Sequence, residues 1–575
     1  MKIVLQYLKP FRVRMALGFC IKAVGTMVEL LLPYILSHIL KDVVGSQNVS
    51  NILLWGALMV LCAGTACLFN IIANRMAARV SRNFSEQMRK DLFARTLRLS
   101  AAQTDRFTIP SLESRITTDT YNVHNFVGMM QRMGVRAPIL LVGGILITLA
   151  MDPYLSLVML AILPLIFIVV YFVSRKGVPL YSKVQKSVDG MIRVVREDTQ
   201  GIRVIKALSK NDYENRRYDE VNRNLSHDEK HAGTVMGVVN PVMTLLMNCG
   251  ITAVVALSAA RVAGHRSDPE TVIAFMQYFT LISMAMMSVS RIFVMYTKCA
   301  ASARRIAEVM ETPEDITIAE LPQTACSRDP AAHIVFEQVS FSYTGKHNHL
   351  ENIDFALPHG ASLGIIGATG SGKSTLVKLL LRFYDATEGR ILLCGRDLRT
   401  YGGNELSTVF GVALQNDFLY ADTIEENIRF GRDLSLDQIQ RAARIAQADD
   451  FITAFPNGYG HVLSPKATNL SGGQKQRLLI ARAIAANPAI LVLDDSSSAL
   501  DYKTDANLRQ ALKKEMTDTT VVTVAQRVSS VKDCDLILVL ENGSIIGKGR
   551  HSELLASCPA YREISDSQMG GAFVE

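Results

Sequence analysis

Long apolar runs fill the first half of the chain, whereas the second half alternates short apolar runs with polar and charged segments. A helix needs roughly 20 apolar residues to cross the hydrocarbon core of a bilayer, and only the runs of the first half reach that length. Of the 575 residues, 49% are hydrophobic, which agrees with this pattern. We predict six membrane-spanning helices, of which the first and last contain polar interruptions: about 14–40, 51–76, 133–151, 153–175, 235–262 and 270–298.

Lysine and arginine residues predict the orientation of these spans. The connections 75–132 and 175–230 are rich in them, while the short connection 151–153 has none. Because basic loops stay on the cytoplasmic side, both long connections are expected in the cytoplasm, and with an even number of spans so are both termini. Residues 1–14 are too polar for a cleaved signal peptide and predict an amphipathic segment at the membrane interface.

Net charge and cysteine content narrow the class of protein further. The net charge of +8 is expected for basic loops beside anionic lipid and does not indicate nucleic acid as a partner. None of the nine cysteines belongs to a C-x-x-C pair, and several lie within predicted spans. This indicates buried thiols in a reducing compartment rather than disulfides or a metal site.

A change in composition marks a domain boundary. Residues 312–332 contain Pro313 and Pro322 among Thr, Ser and charged residues, without a sustained apolar period, which predicts a linker. The linker separates a transmembrane domain at 1–311 from a second domain at 333–575. The second domain has about 240 residues, enough for one large α/β core.

The second domain contains the pattern G-x-x-x-x-G-K-[ST] at residues 367–374. The pattern follows an apolar run at 363–366, which predicts a strand, and precedes a predicted helix at 375–383. In that context backbone N–H groups close around a triphosphate, Lys373 reaches the outer phosphates and the Ser374 hydroxyl binds Mg²⁺. The predicted ATP-binding residues of this loop are Gly367, Thr369, Gly370, Ser371, Gly372, Lys373, Ser374 and Thr375.

A second motif, L-S-G-G-Q, occupies residues 470–474. Ser-Gly-Gly by itself is ordinary loop chemistry. Here it opens a predicted helix at 474–486, whose N-terminal N–H groups offer a second anion site. The two motifs together indicate a nucleotide that is bound from two sides.

These two motifs resemble those of the ATP-binding-cassette (ABC) family, and the resemblance covers the whole length of the chain. It implies a multi-domain fold in which a six-helix α-helical transmembrane domain of the exporter type is fused to an α/β P-loop nucleotide-binding domain. It also implies that the second motif is the signature sequence, which presses on ATP held by the phosphate loop of a partner chain. ATP and Mg²⁺ are the implied cofactors.

The resemblance assigns roles to further residues. The run 490–494 looks like the Walker B strand and ends in Asp494, an implied Mg²⁺ ligand beside Ser374. Gln415 matches the Q-loop glutamine, which is implied at the same metal. Tyr343 matches the aromatic residue that stacks on adenine, although its alternating context alone favours a half-buried strand residue. Residues 498–501 resemble the D-loop.

The long cytoplasmic connections are expected to extend as helices beyond the bilayer. In the exporter branch of the family such extensions end in short coupling helices, which the resemblance implies near 110–120 and 210–217. From composition alone, these segments are explained equally well as charged helices in solvent. Residues 464–467, with the sequence Ser-Pro-Lys-Ala, depart from an acidic, glycine-bearing stretch that is typical of exporters.

Two residues depart from the family pattern at the reaction centre. Asp495 stands where the family has the glutamate that polarises the attacking water, and Gln526 stands where a histidine contacts the γ-phosphate. Aspartate is a methylene shorter, and misplacement by roughly 1 Å can cost about a hundredfold in rate. Glutamine can donate a hydrogen bond but carries neither a proton for transfer nor a positive charge. Hydrolysis at the chain's own ATP site is therefore expected to be weak.

The signature motif, in contrast, is intact. Ser471 and Gly473 are expected to complete the ATP site of a partner chain. This asymmetry implies a heterodimer with a second ABC half-transporter that carries the catalytic glutamate and histidine. The alternative is a slow homodimer in which both substitutions are neutral.

One face of the last predicted span carries polar and methionine residues spaced three and four apart: Gln277, Thr280, Met284, Met287 and Arg291. Such a stripe is either a packing seam or the wall of a cavity with adaptable Met side chains. Arg291 favours the cavity, because a charged residue in a span faces water or a partner. Lys22 and Glu29, seven apart in the first span, fit a structural pair or ligand contacts equally well.

The sequence thus predicts one subunit of an ATP-driven heterodimeric exporter of the bacterial multidrug type, located in the inner membrane. Its expected partners are the second half-transporter, membrane lipid and a small hydrophobic or amphipathic substrate. Alternatives are a lipid or peptide exporter of the same architecture, and an ATP-gated regulatory membrane subunit. The substrate does not follow from the fold.

Overall fold

The computed structural model describes residues 1–45, 47–263, 269–319, 332–415 and 418–569. The chain divides into two compact units. Unit 1 comprises Met1–Arg98 and Thr108–Thr312, and unit 2 comprises Leu99–Phe107 and Pro313–Glu575. The predicted linker at 312–332 lies mostly outside the described residues, because 320–331 are not described.

The first 312 residues form long helices, which is expected from their continuous apolar runs. All belong to unit 1 except α4, which belongs to unit 2. In chain order the helices are α1 (Lys2–Leu8), α2 (Arg12–His38), α3 (Val49–Thr96), α4 (Ala101–Phe107), α5 (Ile109–Ser114), α6 (Thr120–Met151), α7 (Pro153–Ala207), α8 (Asn211–Gly237), α9 (Val239–Ala263) and α10 (Pro269–Met310).

Among the described residues, five helical segments are long and apolar enough to cross a membrane by length and composition. They overlap five of the six predicted spans: Lys2–Val43, Val49–Thr96, Ile109–Met151, Asn211–Arg261 and Val272–Met310. The remaining predicted span, 153–175, falls on α7, where the apolar stretch is Pro153–Val169. Helix α7 continues without a break for 55 residues, well beyond the predicted end of that span.

Local sequence explains the turn between α6 and α7. Asp152 is the N-cap of α7, and its Oδ1 accepts hydrogen bonds from Tyr154 N at 3.0 Å and Leu155 N at 3.3 Å. Pro153 occupies the first position of the helix, where its missing N–H is not needed. The two helices therefore reverse direction across a single extended residue.

Helix α4 lies just before the first coupling segment that the resemblance implies, 110–120, and belongs to unit 2. In α4, Asp105 Oδ2 accepts a hydrogen bond from Tyr384 OH at 2.6 Å, and Gln103 Nε2 donates to Pro313 O at 2.7 Å. The implied coupling segment at 110–120 belongs instead to unit 1. The reason is local, because Thr108, with φ of 64°, separates α4 from α5, which leads into α6.

The second implied coupling segment, 210–217, also lies in unit 1. Its residues close the turn after α7 and form the first turns of α8. Ser209, with φ of 51°, adopts the left-handed conformation that reverses the chain there.

Unit 2 contains two β-sheets. One has four strands in the order β2-β1-β4-β5, and the other has six in the order β10-β9-β3-β8-β7-β6. The strands are β1 (Ala332–Phe341), β2 (Leu350–Pro358), β3 (Ser362–Gly367), β4 (Glu388–Leu393), β5 (Arg396–Asp397), β6 (Phe410–Ala413), β7 (Ile490–Asp494), β8 (Thr520–Val524), β9 (Leu536–Glu541) and β10 (Ser544–Gly549).

In the six-stranded sheet, β3 pairs in parallel with both β8 and β9, and β7 pairs in parallel with β8 and β6. Their carboxyl ends therefore meet at one edge, where ligands of open α/β sheets bind. The helices of unit 2 after α4 are α11 (Lys373–Leu380), α12 (Gly403–Val409), α13 (Ile424–Arg429), α14 (Leu436–Ile445), α15 (Asp449–Thr453), α16 (Gly472–Ile484), α17 (Tyr502–Glu515), α18 (Val528–Val531), α19 (His551–Ser557) and α20 (Pro559–Met569).

Candidate functional site

The predicted phosphate loop connects β3 to the N-terminus of α11. Gly370 and Gly372 adopt φ of 85° and 100°, a region that side chains disfavour. A Cβ on Gly372 would lie 2.7 Å from Leu350 Cδ2 and 3.1 Å from His349 O. The two glycines let the backbone turn tightly and aim the helix N-terminus at the edge of the sheet, where an anion is stabilised.

Lys373, the first residue of α11, folds back over this loop. Its Nζ donates to Gly367 O and Ala368 O, both at 2.8 Å. Burial lowers the pKa of Lys373, and the nearby carboxylates of Asp495 and Asp494 oppose that shift. The ammonium group is thus positioned where phosphate oxygens can replace the two carbonyl acceptors.

A cleft of about 350 Å³ lies between the phosphate loop and the ends of β7 and β8. It collects most of the predicted nucleotide-site residues, but Gly367, Ser371, Tyr343, Ser471 and Gly473 do not line it. The lining residues are Asn348, His349, Thr369, Gly370, Gly372, Lys373, Ser374, Thr375, Gln415, Asp494, Asp495, Val524, Ala525, Gln526, Asn542 and Gly543.

Six lining residues were not predicted from the sequence, and two of them, Val524 and Ala525, lie at the end of β8 directly before Gln526. Asn348 and His349 precede β2, and Asn542 and Gly543 form the turn between β9 and β10. An Asn-Gly pair between two apolar runs does signal a hairpin turn. Nothing local to that pair indicates that the turn adjoins the phosphate loop, where Gly543 N donates to Ser371 O at 3.1 Å.

Asp494 ends the fully buried strand β7. Its Oδ1 is buried and has no hydrogen-bond partner within the described part of the chain. Burial raises the pKa of Asp494, and a hydrogen bond from Ser374 opposes that rise. A buried carboxylate oxygen without a partner, beside a hydroxyl and the phosphate loop, suits a hard divalent cation such as Mg²⁺. Asp494 and Ser374 would hold that ion, and the charge of the ion would neutralise part of the charge on the phosphates.

Asp495 is surrounded differently. Its Oδ2 accepts hydrogen bonds from Gln415 Nε2 and Gln526 Nε2, each at 2.9 Å. Its N–H donates to Val524 O at 3.0 Å, with φ of 50° at Asp495. Burial raises the pKa of Asp495, and the two amide donors oppose the rise. The two residues that depart from the family pattern therefore contact each other directly, and Asp495 also contacts Gln415.

The backbone of the loop that carries Gln526 is hydrogen-bonded to Gln568, a residue that was not predicted from the sequence. Gln568, near the end of α20, donates from Nε2 to Gln526 O at 2.9 Å and accepts from Val528 N at 2.8 Å. One side-chain amide thus pairs with two backbone groups of the loop that carries Gln526. The two residues are 42 positions apart, so no local sequence signal connects them.

Tyr343 lies in a cluster of aromatic rings beside α11. Its ring is T-shaped against Tyr384 and His349, with centroids 5.1 and 4.9 Å away. Its hydroxyl donates to Thr375 Oγ1 at 3.4 Å, and Lys378 Nζ lies 5.6 Å from the ring centroid. Tyr343 remains 38% exposed. The ring therefore presents a surface beside the phosphate loop, as stacking on a base requires.

The signature residues lie on another surface of unit 2. Ser471 caps α16, since Gln474 N donates to Ser471 Oγ at 3.3 Å and Ser471 N donates to Gln474 Oε1 at 2.9 Å. Ser471 is exposed, and a Cβ on Gly473 would lie 3.1 Å from Ala499 O. Ser471 and Gly473 do not line the chain's own cleft, and the exposed Ser471 is available to another molecule.

The departure at 464–467 forms a compact turn before the signature motif. Lys466 and Ala467 adopt φ of 58° and 49°. Ser464 Oγ accepts from Asn469 N at 3.1 Å and lies 2.8 Å from Thr468 Oγ1. These short-range hydrogen bonds stabilise the turn in the absence of the glycine that the family pattern has.

The candidate substrate face of α10 is turned away from the packed side of that helix. Gln277, Met284, Met287 and Arg291 are exposed and Thr280 is half-buried. Several residues between them are buried, namely Tyr278, Phe279, Ile282, Ser283 and Ala285. Tyr278 OH donates to Leu30 O at 2.6 Å, which explains why its side of the helix faces inward.

Comparisons with known proteins agree with this arrangement. Residues 15–286 match the ABC transporter transmembrane region, and residues 350–498 match the ABC transporter family. The chain is 34% identical over 568 residues to the uncharacterized ABC transporter ATP-binding protein YfiB of Bacillus subtilis, covering 98% of each chain. It is 32% identical to the uncharacterized protein MT1311 of Mycobacterium tuberculosis, covering 99% of this chain and 98% of that one.

A solved structure shares the fold over nearly the full length. The structure of a bacterial Atm1-family ABC exporter with ATP bound superposes with a TM-score of 0.82 at 23% identity, covering 97% of this chain and 98% of that one. The predicted fold class is thereby confirmed. Proteins of this family bind ATP with Mg²⁺, hydrolyse it to drive export and act as dimers. With its fused transmembrane and nucleotide-binding domains, the chain belongs to the ABC transporter family.

Proposed function

We propose that this chain is one subunit of an asymmetric, heterodimeric multidrug-type exporter of hydrophobic or amphipathic compounds. In this proposal the chain binds ATP in its own cleft but hydrolyses it poorly, and its signature motif serves the fast site of the partner. The nucleotide-binding domain and both termini face the cytoplasm of a bacterial cell, with the spans in its inner membrane.

The observation that carries the proposal is that Asp495 Oδ2 accepts hydrogen bonds from two side chains of the same protein. A general base must reach the attacking water and accept its proton, yet Oδ2 of this short carboxylate already accepts two amide hydrogen bonds at 2.9 Å. Gln526 cannot exchange a proton as an imidazole does. Because two amide donors hold Oδ2 and the aspartate side chain has less reach than glutamate, the arrangement disfavours proton transfer from the attacking water while leaving the phosphate loop unchanged.

The preserved signature helix supports the second half of the proposal. Ser471 and the N-terminal N–H groups of α16 are exposed and ordered by a capping box. That geometry suits a γ-phosphate presented by another chain. A chain that had lost hydrolysis altogether would have no need for this surface.

Exposed Met284 and Met287 beside Gln277 and Arg291 support a cavity wall on α10. Methionine side chains adapt to varied apolar shapes, and the polar neighbours suit amphipathic ligands. The packed side of α10 is occupied by the chain's own helices, so the exposed stripe is the side available to substrate or to a partner.

The test restores the reaction centre. We expect Asp495→Glu with Gln526→His to raise hydrolysis at this site by about tenfold or more, because the base regains its reach and an imidazole returns. ATP turnover is measured in the dimer with a second half-transporter whose own catalytic glutamate is mutated. Asp518→Glu, the same change at an exposed position, is the control. Unchanged turnover in the double variant, or full turnover by the unmodified chain alone, contradicts the proposal.

A further inference from the structure

A group of charged side chains lies in the predicted spans 14–40 and 133–151 of unit 1 and directly at the edge of the second of these spans. Lys22 of α2 is only 4% exposed and is within electrostatic reach of Glu29, Arg132 and Arg136. Glu29 lies on α2, and both arginines lie on α6. We call these four residues the intramembrane charge cluster. It contains three cations and one carboxylate.

The carboxylate of the cluster is already paired. Arg136 donates to Glu29 from Nη2 at 2.6 Å and from Nε at 3.2 Å, a two-point contact that fixes both side chains. Lys22 and Glu29, seven residues apart on one helix, therefore do not pair with each other. Because the single carboxylate of Glu29 balances one of the three cations, the cluster keeps a net positive charge.

Lys22 is stabilised by amides rather than by a carboxylate. Its Nζ donates to Asn70 Oδ1 at 2.6 Å and to Asn74 Oδ1 at 3.2 Å, both on α3. The two helices approach closely beside it, since a Cβ on Gly25 would lie 3.0 Å from Phe69 Cβ. Amide oxygens satisfy the hydrogen bonds of an ammonium group but leave its positive charge in place.

Arg132 carries the third cationic charge and faces outward. It is exposed, and its Nε donates to Gly128 O at 3.1 Å. Neither Lys22 nor Arg132 forms an ion pair with a carboxylate of the described residues. Two uncompensated positive charges thus remain beside the paired Glu29 and Arg136.

The cluster lies deep along the helices. Arg136 precedes the end of α6 at Met151 by 15 residues, and Glu29 precedes the end of α2 at His38 by nine. At 1.5 Å per residue these distances are about 22 and 14 Å, within a hydrocarbon core of about 30 Å. Lys22 lies within the predicted span 14–40 and Arg132 directly before the predicted span 133–151, and charge in or at the edge of the hydrocarbon core is costly unless it is paired and marks ligand pathways in membrane proteins.

From this we infer that the intramembrane charge cluster binds the anionic headgroup, phosphate or carboxylate, of an amphiphile, with the exposed Arg132 as its direct contact and the buried Lys22 adding positive charge. This inference rests on the proposed export of amphipathic compounds and names the class that this chain selects. Glu29 limits the attraction of the cluster for an anion, because its carboxylate is paired with Arg136. A headgroup anion would neutralise the two remaining cations, while its alkyl chain lies along the apolar helices.

Binding of dodecyl phosphate to the purified protein in zwitterionic nanodiscs tests the inference without requiring ATP turnover. We expect dodecyl phosphate to bind more tightly than dodecyl maltoside, and Arg132→Gln to weaken it about tenfold, while Arg132→Lys retains most of the affinity. Arg79→Gln on α3 removes the same charge at an exposed position and serves as the control. Lys22→Gln should weaken binding as well, provided that it elutes as folded protein.

The variant Glu29→Gln best distinguishes anion binding by the cluster from a purely structural role of the ion pair. Removing the carboxylate releases Arg136 and should tighten dodecyl phosphate several-fold, about threefold to tenfold, whereas loss of a structural ion pair gives no gain in affinity. Equal binding of dodecyl phosphate and dodecyl maltoside, or no difference between Arg132→Gln and Arg79→Gln, overturns the inference.

Two further arms identify the source of the headgroup and separate this inference from the proposed function. Competition by phosphatidylglycerol in the nanodisc assigns the cluster to a lipid headgroup, and absence of competition assigns it to a single-chain amphiphile. If dodecyl phosphate binds as expected but no amphiphile is taken up into inverted vesicles with ATP, the proposed export fails and the site stands. If a neutral amphiphile is exported and Arg132→Gln changes nothing, the site fails and export stands.

Discussion

Asp494 and Asp495 are adjacent at the end of β7, but their surroundings differ. Asp494 Oδ1 is buried without a hydrogen-bond partner among the described residues, whereas Asp495 Oδ2 accepts from Gln415 and Gln526. Burial raises the pKa of both carboxyl groups. The cleft therefore presents one carboxylate oxygen that has no partner among the described residues and one that already accepts two hydrogen bonds from side-chain amides.

The difference indicates which property of the site this chain retains. An unsatisfied buried carboxylate destabilises the folded protein until a ligand arrives, so it is expected where binding matters. A carboxylate that is hydrogen-bonded within the protein needs no ligand. In the proposed heterodimer, ATP held in this cleft stabilises the closed dimer, and the chemistry occurs mainly at the site completed by Ser471.

The largest expected effect is therefore at the signature motif. In the assembled dimer, Ser471→Arg should lower ATP turnover by about a hundredfold, because a bulky cation replaces a hydrogen-bonding group at the partner's γ-phosphate. Asp495→Asn should lower it less than about fivefold, since that oxygen contributes little to proton transfer. Steady-state ATP hydrolysis is the measurement.

Ser407→Arg, at an exposed position of α12, is the control for the added bulk and charge. Equal and severe losses from Ser471→Arg and Asp495→Asn contradict the asymmetry. They indicate a homodimer with two working sites.

An intermediate effect is expected at the phosphate loop. Lys373→Ala should weaken ATP binding to this chain about tenfold or more, because the ammonium group no longer neutralises the outer phosphates. Part of the turnover should remain, since the faster site uses the partner's own lysine. Binding of a fluorescent ATP analogue and turnover are measured in one preparation, with Lys532→Ala as the control. Complete loss of hydrolysis in Lys373→Ala, without such loss in the partner's equivalent variant, reverses the assignment of the two sites.

The sequence was sufficient for those parts of the site that are local in the chain. The strand before Gly367 and the helix after Gly372 follow from one apolar run and one glycine pattern, and both elements are present. Five predicted spans also coincide with apolar helices, because a span is a local property of composition. That Asp495 and Gln526 replace a glutamate and a histidine of the family pattern followed only from the resemblance.

The parts that depend on strand order could not be predicted. Asn542 and Gly543 reach the cleft only because β9 lies next to β3, and Gln568 reaches Gln526 only because α20 packs beside α18. The pairing of Glu29 with Arg136 likewise requires α2 and α6 to pack together. Such contacts join residues that are distant in the chain, and no periodicity of one segment encodes them.

The smallest expected effect concerns stability. Because the pKa of Asp494 is higher in the folded protein than in the unfolded chain, the folded state binds the proton more tightly. Its contribution to the free energy of unfolding is therefore fully present below the pKa of the unfolded chain, near 3.8, and is lost as the pH rises from there through the higher pKa of the folded protein. Asp494→Asn removes this cost, so at neutral pH without nucleotide or Mg²⁺ the variant should unfold at a temperature about 2–4 °C higher for each kcal/mol relieved.

The gain of Asp494→Asn should shrink below pH 4, where the wild-type carboxyl group is protonated in both states. With Mg²⁺ and ATP the order should reverse, because only the wild-type carboxylate binds the cation and gains ligand stabilisation. Thermal unfolding with EDTA and with Mg²⁺-ATP gives both comparisons. Asp495→Asn is the matched variant, and it should show no such reversal, since Gln415 and Gln526 already satisfy its carboxylate. A reversal of equal size in both variants would show that Asp495 also contacts the cation, and the contrast between the two carboxylates would then be wrong.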